Sequence, residues 1–501
     1  MMTRWTAAWC AALMACTSGS TDTAEGEAFT FAEPTDGPAM RGSGGPQVSF
    51  APEELWTNCA YVMGTEEDIG HHNEVAGYRG HMVLPWAPEW SIGGISLFDM
   101  ADPCNPVRVS DGFGQRMRET HAMGFVHLDE GPAAGDWAFT THLKGIMAWD
   151  LTDATAPTVA SELELEGIFY PDAYARVVFS LFVQYPYLYV AGSDNGLYVV
   201  DITDPRAPVL ASTYVFEPGL RAGMVSVIGN RMLVVSAEQT DAALLDVSDP
   251  VSPQLVPGGR FTVTDGDGTP REVYAGNFVG DMGLFARKDG GGGVVIFDVS
   301  EGQPPQFWTE HHVEDGGGGY VFWHEGVAFV GDSSRADIVD FTDMDNPVQL
   351  GTGLLVGDLD TITPYGNIAV LSVDDEGEEG KASAIMPWRT EPDTRGPVVL
   401  STSPLDGAEG VPVTARVGIG FDEQVDSASV FAGSVRLWDG DGQPVDGWGS
   451  AQEANANYAP KVPLQPGTTY TVEVLPGGIR DLTGNPVDTT TTFSFTTAGA
   501  R

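Results

Sequence analysis

Histidines are the residues of this chain best suited to metal or acid–base chemistry, and most fall in three groups: His71, His72 and His81; His121 and His142; His311, His312 and His324. Imidazole nitrogens ligate zinc, copper and iron, so a set gathered at one point would make a metal-dependent enzyme. Against this, the spacings contain neither an HExxH pair nor a GxSxG nucleophile turn, and histidines on strands are commonly satisfied by local hydrogen bonds. Arginines make a second pattern. Arg176, Arg221 and Arg271 each stand eleven residues before the core of the next apolar segment, at Tyr187, Met232 and Met282. Arg118 joins them through the superposable strings RETHAMGFV and REVYAGNFV. A planar guanidinium suits carboxylate, sulfate or phosphate, so four in register would bind an anion unless each is neutralised by an acid nearby, such as Glu119, Asp172 or Glu272. Both readings stand. Asp265-Gly-Asp267-Gly and Asp439-Gly-Asp441-Gly open like calcium loops, but Thr269 or Gln443 holds the fifth position, Pro270 or Pro444 replaces the required glycine, and no Glu closes either loop. They read as Asp-Gly turns. A weak calcium site is the one cofactor left open.

These candidates must be placed by structural elements, and the chain repeats one phrase six times: an apolar run, an Asp, a Ser, Thr or Ala-containing turn with a second acid, and a Pro seven residues after the first Asp. The first acids are Asp99, Asp150, Asp201, Asp246, Asp298 and Asp340, and the prolines are Pro106, Pro157, Pro208, Pro253, Pro305 and Pro347. Runs rich in Val, Ile, Leu, Phe and Tyr read as buried strands. Asp and Ser/Thr side chains that accept from nearby backbone N–H groups, followed by a φ-fixing proline, read as turns. Before each phrase lies another strand pair, so each unit holds about four strands in 40–52 residues, the size of a propeller blade. The phrase GLYVVDITDPRAPVL resembles the LVIVD repeat of bacterial surface proteins, and the resemblance implies a β-propeller. A seventh, decayed unit runs from Asp358 to Pro387, with Pro387 where the acid belongs and no outer strand of its own. The segment Val48–Val62 is expected to supply that strand and close the ring, giving seven blades.

After Arg395 the composition changes. GPVVLSTSPLDGAEGVPV and the closing LQPGTTYTVEVLPGGIRDLTGNP resemble the bacterial Ig-like domain of surface-layer and adhesive proteins, which implies a β-sandwich over 395–498 acting as a non-catalytic spacer. The fold class expected is therefore all-β, a propeller (48–392) followed by an Ig-like sandwich.

The N-terminus reads as a processing signal. Arg4 precedes the apolar Trp5–Ala15, and Leu13-Met14-Ala15-Cys16 has the form of a lipobox. This resembles a bacterial lipoprotein signal (1–15), with Cys16 as the lipidated residue and 16–47 as a flexible Gly/Ser/Pro-rich tether. Export then leaves Cys59 and Cys104, an expected disulfide closing a 45-residue loop. Seventy acids against 24 Lys plus Arg give a net charge of −46, which disfavours nucleic acid and leaves the lipid anchor as the only membrane attachment. The acids are spread through turns, as solubility in a saline habitat requires; the run Asp374–Glu379 reads as an exposed hairpin loop. The expected function is binding, without catalysis, at the bacterial cell surface or outer membrane. Its partner is an anionic ligand, a glycan or a protein, met by Arg118, Arg176, Arg221 and Arg271. The alternative is an exported propeller enzyme with an axial site, a metal-dependent oxidase or a lactone hydrolase.

Overall fold

The computed structural model describes residues 29–65, 74–88, 92–169 and 175–500. Cys16, His71, His72 and Asp172 lie outside them. The first 28 residues, with the expected leader, are also outside.

Each repeat phrase folds as its chemistry dictates. Oδ1 of Asp99, Asp150, Asp201, Asp246, Asp298 and Asp340 accepts from the backbone N–H two residues on, at 2.7–3.1 Å in all six. In five of the six the second acid repeats the contact, as Asp204 does with Arg206 N at 3.1 Å. These paired turns join the third strand of a four-stranded antiparallel sheet to its fourth. Seven such propeller sheets are present among the described residues, one of them joined through the pair Phe125 and Ala451 to a four-stranded sheet of the Ig-like domain. Their first strands are Ala76–Tyr78, Gly124–Leu128, Ser180–Gln184, Ala222–Ile228, Val273–Val279, Val321–His324 and Thr361–Tyr365.

The first three strands of a sheet are apolar throughout because both faces are covered by neighbouring sheets. Fourth strands such as Val209–Tyr214 are largely exposed. The cores pass from sheet to sheet: one joins the first and second through Ile95, Trp149 and Phe125, and another joins the seventh to the first through Ile368, Val370 and Leu84. The ring therefore closes. Its latch is the strand Ala60–Val62, which pairs antiparallel with Ser383–Pro387 and puts Ala60 opposite Ile385. The Cys59–Cys104 disulfide, with Cα atoms 5.1 Å apart, ties that strand to the turn of the first sheet.

Residues 29–47 depart from the flexible tether. Phe31 packs edge-on against Trp438 at 4.8 Å, Arg41 reaches the buried Asp136 at 2.5 Å, and Ser43 donates to Asp99 at 2.7 Å. Aromatic and charged anchors at both ends hold this segment as a strap from the sandwich to the first sheet.

Residues 399–497 form two facing sheets around Ile419, Phe421, Tyr458, Val472 and Phe495. The spacer expectation is corrected here, because the sandwich is seated on one end of the propeller. Asn457 accepts from Gly229 N at 2.7 Å and Gln184 Nε2 at 3.0 Å, and donates to the Val227 carbonyl at 3.1 Å. Asn455 donates to the Phe278 carbonyl at 3.1 Å, and Gln452 both accepts from Val183 N and donates to the Leu181 carbonyl. Ser427 donates to the Phe125 carbonyl at 2.8 Å, and Leu482 of the DLTGN loop enters the core between the seventh and first sheets. Polar side chains thus meet the strand ends whose backbone groups would otherwise be buried unpaired.

Candidate functional site at the open end of the propeller axis

The sandwich covers the ends of the first strands, so the axis is left to their beginnings. There four rings converge from separate sheets. His121 lies 4.5 Å from Phe179, 6.1 Å from Tyr274 and 5.9 Å from Tyr320, and Tyr274 and Tyr320 are 5.7 Å apart. Each ring stands at or just before the start of a first strand, which is why sheets two, three, five and six can meet at one point. His121 Nδ1–H donates to the Phe179 carbonyl at 2.9 Å, leaving Nε2 facing Glu119 Oε1 at 2.8 Å.

Carboxylates surround these rings. Asp360 precedes the seventh first strand and is buried, while Asp358 and Asp374 beside it are half-buried. One ligand oxygen from each lies within 4.8 Å of the others. At an effective dielectric of about 20, two ionised groups about 4.8 Å apart repel by roughly 3.5 kcal/mol. Burial, then Asp360, Glu119 and Asp358, push Asp374 up to about 10. Burial and then Asp358 hold Asp360 well above its ordinary range. At the opposite end Glu453 tips the hairpin of the docked sandwich. Burial pushes it up to about 7, and burial and then Glu453 push Glu74 well up.

Three of the four arginines expected to form a ring have local carboxylates. Arg118 is buried, with Nη2 3.5 Å from Glu119. Arg221 Nε donates to Asp194 at 2.9 Å, and Arg271 Nε to Asp265 at 2.7 Å. Arg176 is exposed. The Asp-Gly segments are turns: Asp265 Oδ1 accepts from Thr269 N, Asp439 Oδ1 from Asp441 N and Gln443 N. The described histidines do not converge either. His121 is axial; His142 faces Glu162 at 3.2 Å; His311 and His312 lie on an outer strand; His81 is buried in the first sheet. His324 sits under the sandwich, its Nδ1 3.2 Å from Glu423 and Nε2 3.4 Å from Asp393. These carboxylates outweigh burial and raise it to about 10.

Glu119, Tyr274, Tyr320, Asp358, Asp360 and Asp374 were not legible as a site. Asp358-Leu-Asp360 lies in the decayed repeat, and Asp374 opens a run that reads as an exposed loop. Asp375 to Gly380 are indeed exposed, whereas Asp374 turns inward.

Two family models match parts of the chain. The model of the LVIVD repeat matches residues 176–215, and that of the bacterial Ig-like domain matches 393–497. The chain therefore carries an LVIVD repeat and a bacterial Ig-like domain. No curated protein matches it. Among solved structures it is similar to the periplasmic gluconolactonase of Pseudomonas aeruginosa, with 11% identity over 58% of this chain and 87% of that one and a TM-score of 0.48. It is also similar to the Cps50 (Swd1) β-propeller domain of Myceliophteria thermophila, with 9% identity over 64% and 97% of the two chains and a TM-score of 0.45. A third is PorZ, a bacterial surface component of the type-IX secretion system of Porphyromonas gingivalis, with 10% identity over 87% of this chain and 60% of that one and a TM-score of 0.43. Likeness at these identities concerns the fold alone. The Ig-like domain and the disulfide are those of an extracellular or surface protein. Among the described residues no helix is long and apolar enough to cross a membrane.

Proposed function

We propose that this is a lipid-anchored binding protein of the bacterial cell envelope, in which the open end of the propeller axis faces the ligand and the Ig-like domain closes and braces the other. The observation that carries the reading is the asymmetry of the two ends. One is filled by side chains of the sandwich bonded to the first strands; the other presents Asp358 and Asp374, half-buried, beside the buried Asp360. The anchor rests on the sequence at Cys16. A carboxylate-lined mouth suits a cationic group, or an anionic glycan or metabolite that arrives through a bridging cation. The test is a binding screen of the whole chain carrying Cys16→Ser against envelope polysaccharides, polyamines and anionic metabolites. A ligand whose affinity falls at least about tenfold in Asp374→Asn, and is unchanged in Glu409→Ala on the exposed sandwich, supports the reading. Equal loss in both variants, or no ligand at all, removes it.

A second reading, an exported enzyme, is favoured by the buried Glu119–His121 pair on the axis. Turnover of a lactone or other substrate that disappears in His121→Gln would move the assignment to catalysis.

A further inference from the structure

Two clusters among the described residues have ligand atoms close enough to share a metal ion: His324, Asp393 and Glu423 at the covered end, and Asp358, Asp360 and Asp374 at the open end. The first is already balanced. Arg389 lies 3.4 Å from Asp393 and 2.6 Å from Glu325, Arg395 pairs with Glu325 and Asp422, and His324 stands between Asp393 and Glu423. An added cation would meet Arg389 and a proton-holding imidazole. At the open end, among the described residues, no Lys, Arg or His forms an ion pair with any of the three carboxylates. Lys288 sits over the Tyr274 ring at 4.4 Å and acts on Asp360 and Asp374 only from farther off.

An independent feature points into the same space. The Tyr320 side chain is 2% exposed, yet its hydroxyl has no hydrogen-bond partner. Burial, and then the carboxylates of Glu119, Asp360 and Asp374, hold that hydroxyl protonated as a donor. Its backbone N–H is bonded to the Asp360 carbonyl at 2.8 Å, so the ring is fixed beside the cluster. Oδ1 of Asp358 and Oδ1 of Asp374 are also buried without a partner. A buried donor and two buried acceptors left unmet at the same end of the axis are what a hydrated cation would satisfy.

We propose that Asp358, Asp360 and Asp374 bind a calcium-type divalent cation at the open end of the propeller axis, with the Tyr320 hydroxyl donating to a cation-bound water. The proposal rests on the reading of this end as the ligand-facing one and deepens it by naming the ion through which a ligand is held. The donor set is oxygen only, which selects hard cations over zinc or copper. Oxygens spread over as much as 4.8 Å suit an ion held at about 2.3–2.6 Å in a flexible shell better than magnesium, which needs about 2.0–2.1 Å and near-octahedral order. Asp358 and Asp374 being half-exposed, the outer side of the ion faces solvent, where a carboxylate or hydroxyl of the ligand would complete the shell.

Calorimetric titration of the metal-free whole chain carrying Cys16→Ser with CaCl2 tests this directly. One ion per chain is expected, released by EDTA. Asp360→Asn and Asp374→Asn should weaken binding at least about tenfold, while Asp267→Asn and Asp439→Asn, in the two Asp-Gly turns, should leave it unchanged. Should the first pair fail to fold, terbium luminescence of the parent chain decides: emission sensitised by Tyr274 and Tyr320 should appear, fall in Tyr320→Phe, and be displaced by calcium. No saturable binding up to about 1 mM, the weak limit of extracellular calcium modules, overturns the proposal. So does equal binding by a folded Asp360→Asn. Calcium bound with no ligand found in the screen leaves the site standing and removes the proposed function; a ligand held without any calcium binding has the reverse meaning.

Discussion

The two ends of the propeller axis solve the same problem in opposite ways. At the covered end protein side chains meet the first strands: Asn455, Asn457, Gln452 and Ser427 donate to backbone carbonyls of sheets five, four, three and two. Charge is balanced there by His324, Arg389 and Arg395 against Asp393, Glu423, Glu325 and Asp422. At the open end three carboxylates gather with no ion-pair partner among the described residues, and a buried hydroxyl goes unmet. Carboxylates balanced by cationic side chains at one end and left unbalanced at the other are the difference on which the proposed function rests.

The largest expected effect comes from breaking the covered end. Asn457→Leu keeps the volume but leaves Gly229 N and the Val227 carbonyl without this partner, while Gln184 Nε2 keeps the Gly229 carbonyl. At about 1–3 kcal/mol for each of the two unmet groups, the cost is roughly 2–6 kcal/mol. The expected result is a lower unfolding temperature together with new protease cleavage in the linker around residues 388–398. A variant with full stability and no new cleavage would show that the Asn457 bonds do not hold the sandwich in place.

A smaller effect is expected from pH. His324 is raised from its ordinary value to about 10, so its stabilising contribution is complete below about 6.5 and is lost as pH rises through 10. Glu423, pushed up to about 8 by burial, acts in the same direction, losing stability as pH rises from the ordinary carboxylate range through 8. Asp393 is lowered and acts oppositely, but only in acid. Between pH 7 and 10 the unfolding temperature should therefore fall, and His324→Gln should flatten that slope. An unchanged slope in the variant would place the titration elsewhere.

The repeat phrases carry most of the fold in legible form, because an Asx turn depends only on residues two apart and a buried strand only on its own composition. The closing strand at Ala60–Val62 was legible for a related reason: a sheet lacking its fourth strand leaves an edge that needs a partner. The docking of the sandwich was not. Asn455 and Asn457 alternate along an ordinary strand, and only the neighbouring strand ends reveal what they bind. DLTGNP marked the Ig-like family, yet nothing local tells that Leu482 fills the core between sheets seven and one. The open-end cluster was hidden for the same reason. Glu119, Tyr274, Tyr320 and Asp360 are far apart in sequence and meet only because a propeller brings the starts of its first strands together.

The smallest expected effect concerns the arginines. Register alone places Arg221 and Arg271 near strand starts, but register does not say what each guanidinium touches, and the nearest carboxylate in space is a local one. Arg221 pairs with Asp194 at 2.9 Å with both side chains partly exposed. Exposed pairs contribute about 0–1 kcal/mol, screened further by salt. Arg221→Ala should therefore change stability by less than about 1 kcal/mol and leave calcium affinity unchanged. Arg271 is more enclosed, with Asp265 lowered to about 2 by the hydrogen bonds of Asp267 and Arg271 acting against burial. Arg271→Ala should loosen the Asp265–Thr269 turn and cost somewhat more. Sulfate or phosphate binding to the parent chain that disappears in both variants would restore the guanidiniums as a shared anion site, and the open end would then hold two ligands of opposite charge.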